Sequence, residues 1–171
     1  MGKLTPLECE ASAYAKVRAA LGGTFQTLRD TVIRTGADVL LRRGGNRLRV
    51  ELKTAATQLA TGGWQWSTHK PSLLAQCLES EATVLVLAWR LGNGQWRFFV
   101  IPLPLLTQAQ TRLLRKRKLT FQAEDLARPS PVGFGTLESE RRGFGESVLK
   151  DAAAVRLDLV RCFEKLKEAD N

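Results

Sequence analysis

Asp38, Glu51 and Lys53 are the residues of this 171-residue chain whose types and spacing can act together chemically. Glu51 and Lys53 flank Leu52, so on an extended strand they project from one face while Val50 and Leu52 turn to the other. Twelve residues separate Asp38 from Glu51, and Gly44-Gly45-Asn46, strong turn chemistry, lies near the midpoint. A hairpin folded there brings Asp38 opposite or diagonal to Glu51. Two carboxylates and an ammonium then meet at one spot. The carboxylates are hard oxygen ligands suited to Mg²⁺, with Mn²⁺ as a substitute. Such a cation offsets phosphate charge and lowers the pKa of a bound water. The lysine orients that water or stabilises the developing negative charge. Together these groups are equipment for phosphodiester hydrolysis. As a bare pattern, the same spacing also fits a surface hairpin with a solvated Glu and Lys on its outer face.

The surrounding elements are legible from periodicity. Leu7, Ala11, Tyr14, Val17, Ala20 and Leu21 recur at helical spacing, so a first helix is predicted over Pro6–Leu21, with Gly22-Gly23 as its stop. Glu8 and Glu10 sit near its N-terminus, where carboxylates suit the helix dipole. Residues 24–35 read as either a short helix or an irregular strand. The hairpin strands are Ala37–Arg43 and Arg47–Ala55, and Trp64-Gln65-Trp66 alternates as a third strand. A helix is predicted over Pro71–Ser80 with Pro71 near its first turn and Leu73, Leu74, Cys77 and Leu78 on one face. Thr83–Leu91 is a near-continuous apolar run, as expected of a strand covered on both faces. Gly92-Asn93-Gly94 turns the chain into a further strand, Gln95–Leu103, followed by an amphipathic helix over Leu105–Lys118 that ends in a basic run. Residues 126–147 shift to Gly, Pro, Ser and charge, and Ser147 can cap a last helix reaching Ala169. That helix either lies on the core or forms a dimer contact.

Asp38, a hairpin and then Glu51-x-Lys53, set in this element order, resemble the PD-(D/E)xK nuclease superfamily. That group includes restriction enzymes, Holliday-junction resolvases and some homing endonucleases. The resemblance covers roughly residues 6–103. It implies an α/β fold, a restriction-endonuclease-like αβββαβ core with a central mixed sheet flanked by helices, plus the C-terminal helix. It implies Asp38 and Glu51 as metal ligands, helped by the Leu52 carbonyl, and Lys53 as the catalytic lysine. A first-helix glutamate joins the site in some members, with Glu10 the match and Glu8 the second choice. The proline of the family name is absent, since Ala37 precedes Asp38. The expected activity is Mg²⁺-dependent cleavage of DNA, restriction-like, homing or junction-resolving. Cutting a duplex needs two active sites, so a homodimer or tetramer is expected. The competing expectation is a non-catalytic nucleic-acid-binding or assembly module on the same fold. The nuclease-like core is assigned to residues 1–125, and the linker with its helix to 126–171.

Composition narrows the alternatives. Lys and Arg number 26 against 17 Asp and Glu, a net charge of +9 that attracts polyanions. Arg112, Arg115, Lys116, Arg117 and Lys118 form a dense basic run that either grips phosphates or is a solvated helix end. His69 and Lys70 follow the third strand and are candidates for cleft residues or plain surface ones. Trp64, Trp66, Trp89 and Trp96 can stack on bases, but their place in strands favours core packing. His69 is the sole histidine, and the chain has no GxSxG, no Walker A loop and no close-spaced zinc ligands. No small-molecule cofactor is expected. Three widely spaced cysteines without a CxxC pair point to a reducing, cytoplasmic location. The first residues, MGKLTPLECEAS, lack the apolar stretch of a signal peptide. The run from Thr83 to Trp89 is far short of the ~20 residues needed to span a membrane.

Overall fold

The computed structural model describes residues 5–21, 26–28, 39–43, 46–55, 57–106 and 108–122. The chain runs α1 (Pro6–Leu21), β1 (Gln26–Leu28), β2 (Val39–Arg43), β3 (Asn46–Ala55), β4 (Trp64–Ser67), α2 (Leu73–Glu79), β5 (Val84–Arg90) and β6 (Trp96–Pro102). A 3₁₀ turn at Leu103–Leu105 leads to α3 (Gln108–Leu114) and β7 (Lys118–Phe121). The proposed linker and C-terminal helix lie outside the described residues, as does Asp38.

A five-stranded mixed sheet in the order β1-β2-β3-β5-β6 forms the centre. β1–β2, β2–β3 and β5–β6 are antiparallel, and β3–β5 is parallel. A parallel pair requires a crossover, and the segment carrying β4 and α2 supplies it. Leu85, Leu87, Trp89, Phe99 and Ile101 form one apolar face with Trp64, Trp66, Leu73, Cys77, Leu114 and Leu119. The opposite face carries Val50, Leu52, Val84, Val86, Ala88, Phe98 and Val100, all buried. α1 lies on this second side: its Ser12 hydroxyl accepts the Trp96 indole N–H at 3.1 Å, and Cys9 and Ala13 are buried. Both faces of the central strands are therefore covered, which explains the unbroken apolar run of β5.

Local chemistry sets the boundaries. Thr5 and Glu8 form a reciprocal cap at the start of α1: the Thr5 backbone N–H donates to Glu8 Oε2 at 2.7 Å, and the Glu8 N–H donates to Thr5 Oγ1 at 3.3 Å. α2 starts two residues later than the proline suggests, because the Ser72 hydroxyl accepts the Ala75 N–H at 2.9 Å and makes Ser72 the cap. Thr83 locks the register of β5. Its backbone N–H donates to the Arg49 carbonyl at 2.8 Å, and its hydroxyl accepts the Arg49 N–H at 3.1 Å. Val50 is thereby set beside Val84, and Glu51 beside Leu85.

Several sequence expectations need correction. Trp64–Ser67 is a strand but does not join the main sheet; it pairs with β7 in a separate two-stranded sheet. The third strand preceding α2 in the main sheet is instead β1, inside the segment read as ambiguous. Asn46 belongs to β3, paired with Arg43, and not to the turn. The helix predicted to reach Lys118 ends at Leu114, and Lys118 opens β7. Leu78, placed on the apolar face of α2, is 69% exposed. The two small strands approach closely enough that a Cβ on Gly63 would lie 2.5 Å from the Phe121 carbonyl oxygen. That approach requires glycine at the entry to β4.

Candidate active site

β3 pairs with β2 along one edge and with β5 along the other, and this positions the candidate site. Its pairing with β2 runs from Arg43–Asn46 to Val39–Val50, and its pairing with β5 runs from Val50 to Ala55. Glu51 is thus the first residue beyond the described β2–β3 ladder. Glu51 and Lys53 lie in register with Leu85 and Leu87, so they share a face as the alternation predicted. Their separation along the strand is about 7 Å at the usual rise per residue. Val50 and Leu52 project into the opposite layer, also as predicted.

Glu51 is not the solvated surface acid of the alternative reading. It is 5% exposed and shares its face with the Trp66–Leu85–Leu87 cluster, while Lys53 is half-buried. An ionised carboxylate in such surroundings needs compensation. Part of it comes from Gln76 on α2, whose amide Nε2 donates to Glu51 Oε1 at 2.6 Å. The Gln76 Oε1 in turn accepts from the Thr68 hydroxyl, and Thr68 Oγ1 accepts the Lys70 N–H at 3.1 Å. Sequence reasoning missed Gln76 and Thr68. Neither belongs to a motif, and both reach Glu51 only through the crossover.

The other candidates are dispersed. Glu8 is committed to the α1 cap, where the Thr5 backbone N–H, then the Thr5 hydroxyl, hold its carboxyl below its ordinary pKa. Glu10 is half-buried on α1, the helix that covers the face opposite Glu51 and Lys53. Among the described residues no three of His, Cys, Asp and Glu cluster as a metal site. Cys9, also on α1, is buried, and burial pushes its thiol up and away from nucleophilic character. The tryptophans are core residues. Trp64, Trp66, Trp89 and Trp96 are all buried, and Trp66 meets Trp89 edge-on at 6.1 Å. The Trp64 and Trp66 indoles donate to the Arg90 and Ala88 carbonyls of β5 at 3.1 and 3.0 Å, which anchors β4 over the sheet.

Arg112, Arg115, Lys116, Arg117 and Lys118 are all exposed. They run from the last turn of α3, which holds Arg112, through a turn into β7, so the run begins at a helix end, as one reading had it, and continues beyond it. This turn is tied to the segment that supports Gln76: the Thr68 N–H donates to the Arg117 carbonyl at 3.1 Å and the Leu73 N–H to the Lys116 carbonyl at 3.0 Å. The backbone of this basic turn is therefore joined to the segment that leads into α2, whose Gln76 meets Glu51. Lys70 is exposed and paired with Glu79 at 2.9 Å, and His69 beside it is exposed.

The donors present suit a hard divalent cation. Mg²⁺ is commonly held by one or two carboxylates, with water and phosphate oxygens completing its shell. A buried carboxylate at Glu51 and the adjoining Leu52 carbonyl are compatible with that pattern, and an ammonium stands two residues on.

No protein-family model and no curated protein matches the sequence. Among solved structures, the chain is similar to the bacterial homing endonuclease I-Ssp6803I, with a TM-score of 0.53 and 14% identity over 98% of this chain and 99% of that one. It also aligns more loosely with the Holliday junction resolvase Hjc of Archaeoglobus fulgidus, with a TM-score of 0.38 and 16% identity over 70% of this chain and 84% of that one. The first match establishes the fold. The chain has the restriction-endonuclease-like α/β architecture expected from its PD-(D/E)xK-like pattern.

Proposed function

We propose that the chain is a metal-dependent endonuclease that hydrolyses DNA phosphodiester bonds at a site built on Glu51, Lys53 and Asp38. The observation that carries this reading is the buried, tethered Glu51 carboxylate sharing a strand face with Lys53. Asp38 is bonded to Val39, whose partner is Val50, the residue before Glu51. The proposal requires that 38 stand opposite 51, as it would if that register continued by one position.

In this reading Glu51, Asp38 and the Leu52 carbonyl would hold Mg²⁺, for which Mn²⁺ substitutes, while Glu10, on the helix over the opposite face, is left out of the ligand set. The cation supplies charge neutralisation for the scissile phosphate and a bound water of lowered pKa. Lys53 positions its ammonium against the attacking water or the phosphoryl oxygens as negative charge develops there. Gln76 keeps the Glu51 carboxylate aimed. Arg112, Arg115, Lys116, Arg117 and Lys118, with Lys70 when released from Glu79, provide phosphate contacts that seat the duplex. The likeness in fold to a homing endonuclease over nearly the full length of both chains supports an endonuclease. Cutting both strands requires two copies, so a homodimer or tetramer is part of the proposal.

The test is a screen of linear, supercoiled and branched DNA with Mg²⁺, Mn²⁺ or EDTA. Cleavage that depends on the cation and vanishes with EDTA is expected on at least one substrate. Salt-sensitive binding without cleavage of any substrate would favour the non-catalytic module.

A further inference from the structure

The hydrogen-bond chain behind Glu51 runs in one direction only. The Lys70 backbone N–H donates to Thr68 Oγ1, so the Thr68 hydroxyl proton is left for the Gln76 Oε1. With its oxygen facing Thr68, Gln76 presents Nε2 to Glu51 Oε1 at 2.6 Å. An amide rotated by half a turn would set oxygen against carboxylate oxygen, which an ionised Glu51 does not tolerate. Every group in this chain is fixed by the next, and its outer end is backbone. Thr68 and Glu51 are both more than nine-tenths buried.

We infer that Gln76 is a positioning residue, oriented by Thr68, that holds one oxygen of the Glu51 carboxylate and so directs the remaining lone pairs toward the cation. The inference rests on the cation reading of Glu51 and extends it to two residues outside the PD-(D/E)xK-like pattern. Carboxylates that ligate metals are generally hydrogen-bonded in turn, and removing such a partner typically costs 10- to 100-fold in metal affinity. The crossover makes the arrangement possible. Ser72 caps α2 and the Leu73 N–H is held by the Lys116 carbonyl, so the Gln76 backbone is set from two sides. Thr68 is held likewise through its N–H to Arg117.

Two measurements on the full chain without DNA test this. The first is Mn²⁺ affinity by calorimetry. Gln76→Met, close in volume, is expected to weaken Mn²⁺ roughly tenfold or more. Thr68→Val is expected to weaken it severalfold and Thr68→Ser to restore it, all with melting temperatures near that of the parent. The second is the Gln76 side-chain amide signal in a ¹H–¹⁵N NMR spectrum, which is expected to shift in Glu51→Gln and in Thr68→Val. An amide signal unmoved by both substitutions would show that the hydrogen-bonded chain does not exist. A shifted signal with Mn²⁺ affinity unchanged in Gln76→Met would overturn the positioning role. A parent protein that binds no Mn²⁺ while its Gln76 amide reports Glu51 would end the metal reading and leave the hydrogen-bonded chain standing.

Discussion

Glu51 shares its strand face with leucines and tryptophans, and a charge placed there has a cost that only function or compensation explains. Replacing it by the isosteric amide keeps a partner for Gln76 and removes the charge. Glu51→Gln is therefore expected to leave unfolding free energy within about 1 kcal/mol of the parent, or to raise it, as read by urea titration. An acid with a purely structural role would show a clear loss instead. Glu8 gives the opposite case, an exposed carboxylate whose role is to cap α1. Its carboxyl is held below the ordinary value of 4.5, so the folded state binds the proton less readily than the unfolded chain. The stability it contributes is present above pH 4.5 and disappears as pH falls through the lower folded value. Thermal melts should show Glu8→Gln less stable than the parent at pH 7, with the gap closing in strong acid.

At the scale of elements, β3 carries the candidate site, and its neighbours fix which face each residue takes. A slip of one position would turn Glu51 and Lys53 into the α1 layer. Thr83 guards against that slip at the start of β5 through its hydrogen bonds with the Arg49 backbone. Thr83→Val retains shape but strips the hydroxyl from the Arg49 N–H, and roughly 1–3 kcal/mol of stability is expected to go with it in denaturant unfolding. The shared face of Glu51 and Lys53 was legible in sequence because strand alternation is a local property. α1 was legible for the same reason, with caps and periodicity contained in its own residues. What covers the Glu51 face was not. β4 finds its partner in β7, more than fifty positions on, and the KLTF alternation of β7 was masked by the basic run before it. Gln76 carried no signal either, since a glutamine on a short helix announces nothing until its acceptor is in place.

For the whole molecule, a net charge of +9 pointed to a polyanion but not to a surface. The fold ties the Arg115–Lys118 turn to Thr68 and Leu73, next to α2, whose Gln76 meets Glu51, and the proposal takes this turn as the polyanion surface. Arg115, Arg117 and Lys118 replaced together by alanine should weaken DNA binding across sequences. The slope of log affinity against log salt should fall by about 0.9 for each phosphate that the variant no longer neutralises. An unchanged slope in fluorescence anisotropy would remove this turn from the interface. The main-sheet topology follows the αβββαβ order expected from sequence, with β1 in the position assigned to β4. Asp38 lies outside the described residues, so its place beside Glu51 belongs to the proposal alone. The most direct test of the central claim is the rate of plasmid nicking with Mg²⁺ by the parent chain and by Glu51→Ala and Lys53→Ala. Each substitution should slow nicking by at least about a hundredfold while the proteins still melt cooperatively. Nicking at the parental rate by either variant would place the chemistry elsewhere on the molecule.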